Sequence, residues 1–239
     1  DVYKRQLDYL EKKTGKPISE LYDVMGGTSI GSMIVSLLSV GEKGKPKYSA
    51  EDLVTIFPSL AQKTLEPDWM QNFLSGYGLF SPKINNQKFI KSLQSYYGDT
   101  PLSKTLNHLV LFGYNFSTTT IDAFHSRGNK LESADPLLYQ LVGGATSFFG
   151  VSPPNKILLS PLYSPQFIAA LVLNNPLGPL MIELVKMYPN KKFLINYIVI
   201  APREMPDTIN FPFYSGWIKA EELFVPLIKT AQNQLVREY

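Results

Sequence analysis

The segment from Tyr22 to Leu38 restricts this chain more than any other. A short apolar stretch, Tyr22-Asp-Val-Met25, runs into Gly26-Gly-Thr-Ser-Ile-Gly31, and helical periodicity begins at once. Ile30, Met33, Ile34, Leu37 and Leu38 stand at i, i+3, i+4, i+7 and i+8. That pattern predicts a strand turning sharply into a helix that ends at Gly41. A corner of this kind needs a sheet for the strand to join and a sheet face for the helix to cover.

The rest of the chain repeats the alternation. A first helix carries Tyr3, Leu7 and Leu10 on one face and ends at Thr14-Gly15, with Pro17 preventing its restart. Glu42 to Lys47 reads as a polar loop, and Ser49 with Asp52 as a capping box for a helix presenting Leu53, Ile56, Phe57 and Leu60. Glu66 to Pro82 reads as an ordered aromatic loop, and Phe89, Leu93 and Tyr96 as a helix closed by Gly98. Strands are expected over His108–Tyr114, Thr119–Phe124, Lys156–Leu159, Phe167–Leu173 and Phe193–Ile200. Further helices should start at Asp135-Pro136, with Asp as cap, at Pro176, and near Leu223, this last running to Leu235. The expected fold class is α/β: a mostly parallel central sheet with helices on both faces, residues 1–239 forming one domain, and the Leu21–Met25 strand at its centre.

Composition excludes several chemistries. The chain has no Cys and only two His, His108 and His125, so thiolate sites, cysteine nucleophiles and multi-histidine metal centres are ruled out; no metal or cofactor is expected. A net charge of +3 without a Lys/Arg block gives nucleic-acid binding no support. No apolar run approaches the roughly 20 residues of a transmembrane helix. The first residues are polar, unlike a signal peptide, and the chain reads as soluble.

Gly27-Thr-Ser-Ile-Gly31 fits G-x-S-x-G, the nucleophile elbow. Small residues two before and two after the Ser allow close packing at the turn. Its hydroxyl is then held out ahead of a helix N-terminus, where negative charge is favoured. Ser29 is the candidate nucleophile, and the backbone N–H of Ile30 the candidate oxyanion donor. The competing reading is a Gly-rich turn that only packs a helix on a sheet. A dinucleotide fingerprint is disfavoured because Thr28 stands where its second Gly is needed, and no Gly-Lys-Ser/Thr follows for a Walker loop. Nothing in the sequence brings His108 or His125 to Ser29, Asp23 reads as structural, and Asp135 reads as a cap.

These residues belong to an ordered series. Lys12-Lys-Thr-Gly-Lys-Pro17, Tyr22 to Gly31, Leu79-Phe-Ser-Pro82, Tyr97-Gly-Asp-Thr100 with Leu102-Ser103, Gly144-Ala-Thr-Ser147 before Pro153-Pro154, and Asn174-Asn-Pro176 resemble successive blocks of the patatin-like phospholipases. The similarity runs from Leu7 to Tyr188. It implies a three-layer α/β/α sandwich that hydrolyses lipid acyl esters with a Ser–Asp dyad and no metal, with Ser29 as nucleophile. It implies a lipid or phospholipid substrate, peripheral membrane contact, and a cytoplasmic or membrane-peripheral location. Phe148 and Phe149, just after the Ala-Thr-Ser block, would lie near the site and suit an acyl chain. Two departures accompany the match. The family's first strand and Gly-rich oxyanion loop would fall before Asp1, which marks the domain as N-terminally truncated. The dyad Asp falls at Ile168, six positions before the Asn-Asn-Pro block, and no Asp or Glu occurs between Asp135 and Glu183 to replace it. The alternative to a lipid acyl hydrolase is therefore a catalytically impaired or inactive patatin-like domain that binds lipid or a partner.

Overall fold

The computed structural model describes residues 2–65, 86–115, 117–128, 135–147, 155–159, 164–168 and 175–198. Helix α1 (Val2–Thr14) stops where a residue with positive φ takes over: Gly15, at φ 67°, donates its N–H to the Glu11 carbonyl at 2.8 Å. Glu11 has a second task. Its carboxylate accepts the N–H of Ile18 at 2.9 Å and of Ala50 at 2.7 Å, the first residues of α2 (Ile18–Leu21) and α4 (Ala50–Leu65). One anion thus satisfies donors at two helix N-termini, where the backbone dipoles favour negative charge.

Strand β1 (Val24–Gly27) leads into α3 (Ile30–Ser39). The polar loop expected next is a tight hairpin of β2 (Gly41–Glu42) and β3 (Lys45–Pro46), turned by Lys43 and Gly44 at φ 52° and 78°. The capping box forms: Ser49 N–H donates to Asp52 Oδ2 at 2.8 Å, and Asp52 N–H to Ser49 Oγ at 3.2 Å. Helix α5 (Asn86–Tyr97) ends at Gly98, φ 58°, and buries Leu93 and Tyr97 rather than Tyr96. A 3₁₀ turn (Leu102–Lys104) precedes β4 (His108–Asn115) and β5 (Thr120–His125); α6 (Leu138–Thr146), β6 (Asn155–Lys156) and β7 (Gln166–Ile168) follow. Asp135 is a cap, but not of the helix after it. The residue preceding α6 is Leu137, and the Asp135 carboxylate takes the N–H and hydroxyl of Ser103 instead. Chain order had offered the nearer helix; folding offers the turn lying alongside.

The sheet is mixed. β1 and β4 run parallel, Gly27 opposite Leu111, whereas β4–β5, β4–β7 and β6–β7 are antiparallel. A short connection between β4 and β5 permits only an antiparallel pair. Among the described residues the central strand is β4 rather than β1, with neighbours on both edges. It is buried from His108 to Gly113 without alternation, as a strand covered on both faces must be. Helix α3 packs on β1 and β4, α6 packs on β4, β6 and β7, and α4 and α5 form the layer beside them. The result is an α/β architecture of the kind a patatin-like α/β/α fold calls for.

The chain divides into two compact units, Asp1–Pro176 and Leu177–Tyr239. In the second, α7 (Leu177–Met187) forms after Pro176 as its periodicity predicts. The strand expected over Phe193–Ile200 does not form in its described part: residues 191–198 carry no β structure, and Leu194 is fully exposed. β-branched and aromatic composition favours a strand only where a neighbour completes the ladder. The predicted loop Glu66–Pro82 and helix Leu223–Leu235 lie outside the described residues.

At the start of β4, His108 is buried with its ring 5.7 Å from that of His125. Burial, reinforced by His125 and Arg127, lowers the His108 pKa from the ordinary 6.5 to about 4. Between these values the unfolded chain binds a proton that the folded chain refuses, so stability falls as pH drops from 6.5 toward 4. Urea midpoints at pH 7.5, 5.5 and 4.5 should show a steeper acid loss for the native chain than for His108→Gln.

Candidate active site

The corner between β1 and α3 is built around backbone. A Cβ on Gly27 would lie 2.5 Å from the carbonyl carbon of Gly31, 2.6 Å from its oxygen and 2.8 Å from the nitrogen of Ser32, so only Gly lets the first turn of α3 press this close to the strand end. A Cβ on Gly31 would meet nothing within 4 Å. The two glycines of the motif are thus not equivalent: the position before the serine is sterically closed, and the one after it is open.

Between them Ser29 adopts φ 49°, ψ −124°, a conformation that L-residues rarely take and that costs on the order of 1–3 kcal/mol. Ser29 occupies the N-cap of α3, where a serine ordinarily sits in the β region and bonds a backbone N–H two or three residues on. Here it makes no such bond. The first turn closes without the hydroxyl: Gly31 N–H donates to the Thr28 carbonyl at 2.8 Å and Ser32 N–H to the Ser29 carbonyl at 3.0 Å. Ile30, expected on the buried face of α3, is 47% exposed beside Ser29, and its N–H bonds no described residue. A partly exposed serine and a helix-terminal N–H adjoin at the end of a parallel strand, an arrangement in which an attacked carbonyl and its developing oxyanion can be accommodated.

The sheet register locates the other candidates. β5 pairs with one edge of β4, so β1 and β7 share the opposite edge. Gly27 lies opposite Leu111 and Ile168 opposite Tyr114, three residues further along β4, or about 10 Å of strand. The backbone of Ile168 therefore faces the elbow along one edge. The histidines sit elsewhere. His108 lies opposite Val24, at the end of β1 away from Ser29, and His125 lies opposite Val110 on the far side of β4. Neither is at the elbow. Asp23 is exposed and lends its backbone carbonyl to His108 N–H at 3.2 Å. Phe148 and Phe149 lie outside the described residues. No cluster of three or more His, Cys, Asp or Glu suited to a metal ion occurs among the described residues, and no helix among them is long and apolar enough to cross a membrane.

Sequence reasoning passed over Ser32. It is fully buried and its hydroxyl donates to the Gly27 carbonyl at 2.8 Å. The signal available was a small polar residue on an otherwise apolar helix face, which fits many roles.

No protein-family model matches the chain. Curated relatives do. "Probable inactive patatin-3-Kuras 1" from Solanum tuberosum is 24% identical over 152 residues, covering 63% of this chain and 39% of the relative. Patatin-like protein 4 from Arabidopsis thaliana is 24% identical over 138 residues, 56% and 33% of the two chains. Patatin-T5 from Solanum tuberosum is 24% identical over 155 residues, 63% and 37%. The chain is related to the patatins and patatin-like proteins, and it spans well under half the length of these three.

The asymmetry of the two glycines sets an expected outcome. Gly27→Ala should lower the free energy of unfolding by about 2–3 kcal/mol or more, because backbone must shift to admit the methyl group. Gly31→Ala should be neutral or stabilising by up to about 1 kcal/mol, as for glycine replaced within a helix. Chemical denaturation of both variants measures the difference.

Proposed function

We propose that this chain is a lipid acyl hydrolase domain of the patatin-like class, with Ser29 as the nucleophile. The observation that carries the reading is the conformation of Ser29: a serine at a helix N-cap, at positive φ, that does not cap the helix. In the proposed reaction Ser29 Oγ attacks the ester carbonyl carbon and its proton passes to solvent water, which returns one to the departing alkoxide. The tetrahedral oxyanion forms beside the Ile30 N–H, the lipid alcohol leaves with a proton, and water hydrolyses the acyl-enzyme. The exposed Ile30 side chain suits an apolar acyl group next to the reacting carbonyl. The relationship to patatin-like proteins supports a lipid ester as substrate, met at a membrane or micelle surface.

Position 168 favours a second reading. By the family resemblance the dyad Asp falls at Ile168, which cannot accept the serine proton. Loss of a general base costs about 10²–10⁴-fold in rate. On that reading the domain keeps the fold and lipid affinity while turning over slowly or not at all.

A fluorophosphonate probe separates the two. Stoichiometric labelling that disappears in Ser29→Ala supports the hydrolase, whereas a folded chain that takes up no label is the silent domain. Ile168→Asp should raise ester hydrolysis by an order of magnitude or more when the chain is extended upstream by a Gly-rich oxyanion loop, and should add little without that loop.

A further inference from the structure

We propose that Ser32 is a positioning residue for Ser29, holding the elbow in the conformation that presents the Ser29 hydroxyl. The inference rests on the reading of Ser29 as nucleophile and goes beyond it.

Within a helix, a buried serine commonly bonds back to a carbonyl three or four residues earlier. Ser36, on the same helix, does this: its hydroxyl lies 3.1 Å from the Met33 carbonyl and 2.7 Å from Tyr97 Oη. Ser32 instead reaches five residues back, across the corner, to the carbonyl of Gly27. Gly27 is the last residue of β1 and the one over which the first turn of α3 is pressed. The bond therefore closes a ring of backbone around Thr28 and Ser29, fastening strand end to helix start.

That closure opposes a specific competing state. A serine preceding a helix gains by relaxing into the β region and accepting a helix N–H with its side-chain oxygen as an ordinary N-cap. Ser29 in that state would have its hydroxyl occupied and turned inward. The observed φ of 49° persists only while surrounding contacts over-determine it. Among these, the Ser32 hydroxyl joins the two ends of the corner directly, whereas Ser36 and Tyr97 tie the middle of α3 to α5 and leave the corner untouched. Without the hydroxyl, the buried Gly27 carbonyl loses this donor and the corner can open.

The absence of cysteine makes the test direct. Ser29→Cys gives the full chain a single thiol, whose pKa is read from the pH profile of alkylation by iodoacetamide. Held at the N-terminus of α3, it should titrate below the ordinary thiol range. Adding Ser32→Ala should return it toward that range and slow alkylation near neutral pH about tenfold. Ser32→Thr, which keeps the hydroxyl, should retain the low value. Ser36→Ala should lower the thermal midpoint without moving the thiol. Should the Ala variant fail to fold, with circular dichroism as the check, Ser32→Val takes its place, matching Ser32→Thr in shape and lacking only the hydroxyl. In parallel, fluorophosphonate labelling of Ser29 should fall about tenfold in Ser32→Ala. A thiol pKa unchanged by loss of the Ser32 hydroxyl overturns the proposal, as does an equal shift from Ser36→Ala. A shift specific to Ser32 in a chain whose Ser29 takes no fluorophosphonate supports the positioning role and refutes the nucleophile.

Discussion

The first turn of α3 rests on the end of β1 with no side chain between them, and the other features of the site follow from that contact. Because the backbone of Gly31 and Ser32 fills the space where a Cβ of residue 27 would stand, the chain must reverse within Thr28 and Ser29. So short a reversal forces Ser29 out of the conformations a serine prefers. The cost falls on one residue and is offset by the burial of α3, whose Met33, Ile34, Leu37 and Leu38 are almost wholly removed from water. Burying each such side chain contributes about 1.5–3 kcal/mol, so a strained corner is well within what the helix can sustain.

β4 serves as the ruler against which the site is measured. Buried on both faces and paired along both edges, it sets the register of β1 and β7 and so the separation of the elbow from Ile168. It also carries His108 to the opposite end of the corner strand. The only two imidazoles of the chain are thereby committed to a buried ring pair, and a serine–histidine arrangement at the elbow is not formed. Burial keeps His108 neutral over most of the pH range, which suits a packing role.

The elbow combines a strained serine, an adjoining helix N-terminus and an open position after the serine. The acid–base position that the family resemblance implies falls on Ile168, an aliphatic residue. Backbone geometry is set by close packing within the α/β unit, whereas proton transfer depends on one positioned base.

Much of this was legible in local sequence. The corner at Gly26–Gly31, the capping box of Ser49 and Asp52, the glycine stops at positions 15 and 98 and the β4–β5 pair depend on contacts within a few residues, where propensity and turn chemistry act directly. Ser29 could be picked out for the same reason. What tertiary structure decided depends on residues far apart in the chain. The Glu11 carboxylate shared by two helices, the pairing of Asp135 with Ser103, the antiparallel placement of β7 and the unequal demands on Gly27 and Gly31 have no local signature. The run after Lys192 makes the same point in reverse, since its composition favours a strand and its described residues form none. Hydrogen-bonding partners and excluded volume belong to the folded arrangement, and periodicity along one segment carries no information about which distant segment will supply them.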